Sequence, residues 1–211
     1  MNLFCKKLFK YVKTSYQPGE VIIDSDTGNV PSSINLLMDG VYQIKLVGGG
    51  GGGLQINNGT RRSCGSGGSG SAFVGKIRLT KGTYNISWGE KGVSRTYPYS
   101  SGSTYKAGTG GNSVFGTMIA YGGTGGYTSG TNIMKGTGGR SPKLTYTRTS
   151  TSVNKAGNDG DAVAASSSQI NYCNAGDSVY SGYGHGAGFG KNGIHQGDGT
   201  DGIIYLAYVS P

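Results

Sequence analysis

The chain has 211 residues, a formal net charge of +9 and 43 glycines, about three times the usual glycine share. A collagen triple helix is excluded, because glycine does not recur at every third position and only five prolines are present. Low-complexity disorder is disfavoured too: 15 tyrosines and runs such as Ala72-Phe73-Val74 and Ile203-Ile204-Tyr205-Leu206 have strand character.

Residues 1–18 read as a basic N-terminal arm, and residues 19–211 as one glycine-rich domain. In the arm, Leu3, Phe4, Leu8, Tyr11 and Val12 approximate one helical face, with Lys6, Lys7, Lys10 and Lys13 interleaved. Such a segment reads as a helix that docks on a membrane surface or a partner, or as a short strand or ordered arm laid on the body; the expectation carried forward is docking on a neighbouring protein. The lysines interrupt the apolar run before it reaches the length of a secretory signal. No stretch approaches the roughly 20 apolar residues of a membrane span, so the protein is not expected to cross one.

Tyr16-Gln17-Pro18-Gly19 has the order of a type II turn. Short strands are predicted over 20–24 and 33–38, with Asp39-Gly40 as a tight hairpin turn into the best strand of the sequence, 41–47. Its alternation puts Tyr42, Ile44 and Leu46 on a buried face and Gln43 and Lys45 on a wetter one. That strand runs directly into Gly48, Gly49, Gly50, Gly51, Gly52 and Gly53. Only Gly19, Gly28 and Gly40 precede this run, so composition changes near residue 47. Such a run invites a polyglycine II helix, an extended three-fold helix about 19 Å long here. Close packing against like segments would give its N–H and C=O groups their partners. A phosphate-binding loop is not expected, since no Lys-Ser/Thr follows the glycines.

Beyond the run, a strand over 72–79 is followed by a Lys81-Gly82 turn and a hairpin partner over 83–88. A long Tyr/Ser/Gly loop, 89–111, precedes a strand over 114–121. Glycine-rich stretches recur at 122–126, 136–139 and 182–190, and a last strand spans 203–209. The predicted fold class is all-β, an antiparallel β-sandwich with a packed bundle of polyglycine II helices.

Signals for catalysis are weak, and the expectation is no enzyme, no cofactor and no metal. Most of the ten acidic residues sit beside glycine in turns, where aspartate commonly bonds backbone. Segments 158–161 and 197–201 lack the ligand spacing and terminal Glu of a calcium loop. Gly65-Ser66-Gly67 lacks the strand-to-helix context of a nucleophile turn. His185 and His195 have no neighbouring cysteine pair. Cys5, Cys64 and Cys173 show no paired spacing. Cys64 and Cys173 have the option of one disulfide, which spacing does not establish, and free thiols are the favoured reading. The positive charge is scattered, without Arg-Gly-Gly repeats, so no specific nucleic acid is expected.

The tyrosines are the better lead. Tyr with Ser, Gly and Asn makes adaptable recognition surfaces, because Tyr gives wide contact at low entropy cost. Tyr97, Tyr99 and Tyr105 in the 93–108 loop, with Arg95 and Lys106, are the candidate receptor-binding residues.

A resemblance rests on the order of landmarks. Residues 40–47 lead into 48–53, and Gly67-Gly68-Ser69-Gly70 into Ala72-Phe73-Val74-Gly75. Lys81-Gly82-Thr83-Tyr84, Ser113-Val114-Phe115-Gly116 and Ala120-Tyr121-Gly122-Gly123 follow. Tyr183-Gly184-His185-Gly186-Ala187-Gly188 and Gly202-Ile203-Ile204-Tyr205-Leu206-Ala207-Tyr208 complete the series. Over about residues 19 to 209 the chain resembles glycine-rich domains of bacteriophage tail-fibre and adhesin proteins. It also resembles the glycine-rich domain of anaplastic lymphoma kinase-like receptors. The resemblance implies an oligomeric virion protein at a tail or fibre. It would bind other virion proteins through its arm and attach to a host glycan or protein. A virion surface reached by host lysis would account for the missing export signal. Alternatives are a purely structural decoration or filament subunit, and a cellular surface ligand-binding domain.

Overall fold

The computed structural model describes residues 13–28, 30–57, 62–98, 103–130, 132–163, 173–188 and 198–211. Residues 1–12, which carry most of the expected arm, lie outside that set. The described chain is all-β. It forms β1 (Val21–Asp24), a 3-10 turn (Ser25–Thr27), β2 (Ser33–Leu36), β3 (Gly40–Val47), β4 (Leu54–Asn57), β5 (Arg62–Gly65), β6 (Ala72–Leu79) and β7 (Gly82–Ser87). It continues with β8 (Arg95–Pro98), β9 (Ser113–Phe115), β10 (Met118–Ala120), β11 (Tyr127–Ser129) and β12 (Asn132–Met134). The last strands are β13 (Arg148–Lys155), β14 (Ala162–Val163) and β15 (Ile203–Ser210).

Two antiparallel sheets share the main core. One has the order β1-β15-β3-β6-β13 and the other β10-β9-β7-β2. The first supplies Tyr42, Ile44, Leu46, Phe73, Ile77, Ile204, Leu206 and Tyr208 to a common buried cluster; the second supplies Leu36, Ile86, Phe115, Met118 and Ala120. These are alternate residues along each long strand, as the pleat requires. Burying each large apolar side chain contributes about 1.5–3 kcal/mol. Tyr16 also packs here, its ring 6.3 Å from that of Tyr42 and 6.0 Å from that of Tyr208.

Two expected hairpins do not form. β2 pairs with β7, not β3, and β6 pairs with β3 and β13, not β7. Both connections instead carry the chain from one sheet to the other. The Asp39 carboxylate accepts a 2.6 Å hydrogen bond from the Lys81 N–H, which ties the two crossovers together. Gly82, at φ +144°, takes a backbone conformation that side chains disfavour. The predicted 114–121 strand is interrupted at Gly116, φ +57°, and folds back on itself as β9 and β10. β8 lies within the expected 89–111 loop and adds in parallel to β4.

Between these two sheets and the smaller sheets β14-β5-β4-β8 and β11-β12 run the glycine segments. Their hydrogen bonds repeat every third residue. Gly48 and Gly51 donate to the carbonyls of Ser71 and Gly68, and Gly49 and Gly52 to those of Gly111 and Gly108. The Gly50 N–H goes to Thr200. The carbonyls of Gly49 and Gly52 accept from Gly123 and Gly126, those of Gly50 and Gly53 from Gly92 and Arg95, and that of Gly51 from Ala187. Segment 66–71 repeats the pattern: Ser66 and Ser69 donate to Asp161 and Asn158, Gly67 and Gly70 to Ala187 and Gly184, and Gly68 and Ser71 to Thr124 and Tyr121. Buried polar backbone thus finds partners without a sheet ladder.

The sulfurs of Cys64 and Cys173 are bonded, with Cα atoms 6.2 Å apart. The favoured free-thiol reading is corrected for this pair. Packing brings together residues separated by 109 positions, which no local spacing signals.

Burial pushes the Tyr42 phenol well above its ordinary pKa, and raises that of Tyr16. Both stay neutral in the folded protein beyond the value near 10 of an unfolded chain. Stability is therefore full below about pH 10 and declines as pH rises further, because the unfolded state ionises first. The urea midpoint should stay level from neutral pH to that point and then fall. Tyr42→Phe should reduce the fall while costing about 1 kcal/mol for the lost 2.6 Å bond to the Met38 carbonyl. A midpoint insensitive to pH above about 10 would contradict this account.

Candidate functional site

Tyr97 lies on β8, and its ring stacks on that of Tyr105 with centroids 4.6 Å apart and planes 25° from parallel. Both are half-buried against Leu54, Ile56 and Ala107, with Ile133 beside them. The rings therefore share the work of covering the small sheet, because the pleat of β4 leaves an apolar face there. Arg95 and Lys106 are exposed; the backbone of Lys106 forms an antiparallel β-bridge with Tyr127. Tyr99 lies outside the described residues. The structure thus joins Tyr97 and Tyr105 and leaves the two cations at the surface.

A second place lies at the opposite end of the 48–53 segment. Next to Val47 and Gly48, four remote stretches line an open recess of about 530 Å³. Asp26 comes from the 3-10 turn, Trp88 from the end of β7, Ser181 and Tyr183 from a tight turn, and Thr200 and Asp201 from the approach to β15. The Tyr183 N–H donates to the Tyr180 carbonyl at 3.0 Å, closing that turn. Its central residues Ser181 and Gly182 have φ of 45° and 82°, the signs of a mirror-image hairpin turn. Ser181 is the one non-glycine residue with positive φ among the described residues.

The recess is braced from behind. Trp88 Nε1 donates to the Gly202 carbonyl at 2.9 Å, and the Lys91 N–H to Asp201 Oδ1 at 2.7 Å. The Tyr183 hydroxyl donates to Asp26 Oδ2 at 2.5 Å. That bond, with burial, pushes the Tyr183 pKa up to about 12. The Ser25 hydroxyl oxygen accepts from the Ile204 N–H, fixing the 3-10 turn against β15.

Other acidic side chains serve the glycine segments. Asp159 accepts from the Gly138 N–H at 2.9 Å and pairs with Lys135; these contacts, the first the larger, hold its carboxyl below the usual range. Asp198 accepts from the Ser94 N–H at 2.9 Å. His185 bonds the Gly186 carbonyl through Nδ1, and His195 lies outside the described residues. Among the described residues no group of three or more His, Cys, Asp or Glu is arranged to hold a metal ion. No helix among them is long and apolar enough to cross a membrane.

No protein-family model matches this chain, and neither does any curated protein. The functional reading therefore rests on the residues themselves.

Proposed function

We propose that the chain is a bacteriophage virion protein, tail- or fibre-associated, that attaches the particle to a host surface. In this reading it is a β-sandwich carrying a bundle of polyglycine II helices, and it assembles with other virion proteins through its N-terminal arm. The observation that carries the architectural part is the three-residue period of the bonds made by segments 48–53 and 66–71, which pass to several different neighbours. A three-fold extended helix presents its N–H and C=O groups outward with that period. Such a bundle is a stiff scaffold, and recognition residues on loops gain from one. The Cys64–Cys173 bond supports a working place in an oxidising setting outside the cell. The stacked Tyr97 and Tyr105 with exposed Arg95 and Lys106 form the proposed contact surface.

Because both rings help to pack the small sheet, the informative variant spares them. Arg95→Ala combined with Lys106→Ala should weaken adsorption of the purified protein to host cells by about tenfold or more if these side chains are interface anchors. Its melting temperature should stay at the wild-type value. Antibody against the folded chain should label tails in virions recovered from lysed cultures. Labelling confined to intact cells would favour a cellular surface protein, and labelled particles with unchanged adsorption a decoration subunit.

A further inference from the structure

The recess beside Trp88 has a composition that selects its ligand. We propose that it binds an uncharged sugar ring of a glycan, stacked on Trp88 and held through its hydroxyls by Asp26 and Asp201. The volume of about 530 Å³ falls in the range of small-ligand sites. Trp88 supplies the broad apolar surface that the C–H face of a pyranose needs, while its N–H is already bonded to the Gly202 carbonyl. Each carboxylate has one oxygen engaged, Asp26 Oδ2 by Tyr183 and Asp201 Oδ1 by Lys91. The other oxygen of each has no hydrogen-bond partner among the described residues. Sugar hydroxyls are donors, and ionised acceptors make the stronger bonds to them.

The lining also says what is rejected. It holds two carboxylates and neither lysine nor arginine, in a chain of net charge +9. A phosphate, a sialic acid or a nucleic-acid backbone would meet repulsion there and find no cation. Pre-organisation favours binding as well. The turn bearing Ser181 and Tyr183, the Asp26 turn and the 200–202 strand approach are each tied to other segments by hydrogen bonds. A non-glycine residue at φ 45° in the lining fits a turn whose geometry is held by its surroundings.

This inference goes beyond attachment through the Tyr97 surface, and it does not require the chain to be a virion protein. Trp88 is the single tryptophan of the sequence, so its fluorescence reports on the recess alone. Purified full-length protein would be titrated with glucose, galactose, mannose and N-acetylglucosamine and with their disaccharides. Glucose 6-phosphate serves as the anionic control. A saturable change in Trp88 emission is expected for at least one neutral sugar, with a dissociation constant of the order of millimolar for a ligand of about a dozen heavy atoms. Asp26→Asn should weaken that binding by about tenfold or more, the loss of a charge-assisted bond. Asp201→Asn should do likewise, and its amide oxygen can still accept from Lys91, so the fold has a second chance if the first variant misfolds. Arg148→Ala, exposed at the start of edge strand β13, should bind as wild type. No saturable change with any neutral sugar would overturn the proposal, as would equal or tighter binding of glucose 6-phosphate. Loss of adsorption in the Arg95/Lys106 variant bears on attachment and leaves this titration unaffected, so the two readings fail separately.

Discussion

Gly50→Val is expected to cost at least about 3 kcal/mol, the upper part of the usual overpacking range, and to lower the melting temperature by about 6–12 °C in a chain of this size. A Cβ at Gly50 would lie 1.8 Å from the His185 carbonyl oxygen and 2.4 Å from its carbon. Core substitutions are usually absorbed by side chains that change rotamer, but here the obstacle is backbone. That backbone is itself bonded, since the His185 carbonyl accepts from the Thr200 N–H. Its neighbours meet the same limit: a Cβ on Gly49 would sit 2.2 Å from the Glu90 carbonyl oxygen, and on Gly51 2.1 Å from that of Thr124. Gly130→Ala is the informative control. There φ is +60° and nothing lies within 4 Å of the added atom, so only the left-handed conformation is penalised, by about 1–2 kcal/mol. Urea denaturation of the two variants separates lack of room from conformational cost. A Gly50→Val protein as stable as wild type would remove close backbone packing as the reason for the glycines.

Breaking the Cys64–Cys173 bond should have the other large effect. It closes a loop between residues 109 apart, and the loop-entropy estimate for that length is about 4–5 kcal/mol. The urea midpoint should therefore fall on adding reductant, and the Cys64→Ala/Cys173→Ala double variant should start at the reduced value and not respond. Thiol titration of the denatured, unreduced protein should find one reactive thiol among the three cysteines, namely Cys5. Three reactive thiols, or a midpoint indifferent to reductant, would show that the pair does not brace the fold in solution. Both side chains are buried, so reduction should be slow in the native state and quick once the chain unfolds.

Much of the strand content was legible without coordinates, for a local reason. β6 matches its predicted range, and β3 and β15 differ from theirs by one residue. In β3 the alternation of Tyr42, Ile44 and Leu46 with Gln43 and Lys45 is a period-two signal held within a few residues. Burial follows it, with the first three fully buried and the latter two half-exposed. β13 gave no such signal: Arg148–Lys155 is an exposed edge strand of Arg, Ser and Thr, and only its pairing with β6 makes it a strand. The density of glycine was plain in composition, and so was the expectation that backbone would pack on backbone.

Partner choice was not legible, because it is decided between residues far apart. Whether β7 turns back on β6 or crosses to β2 depends on which apolar faces meet in the shared core, and the Lys81-Gly82 turn is compatible with either. Tyr97 and Tyr105 read as free recognition residues until β8 added to β4 and set both rings over Leu54 and Ile56. The recess at Trp88 exists only because segments near residues 26, 88, 182 and 200 converge beside the start of the glycine run. The sequence alone determined an all-β chain with long alternating strands and a region where side chains have no room, since period and composition are local properties. Tertiary structure alone decided the sheet order, the disulfide and the grouping of Asp26, Trp88, Tyr183 and Asp201, since each depends on contacts across the chain that no short segment encodes.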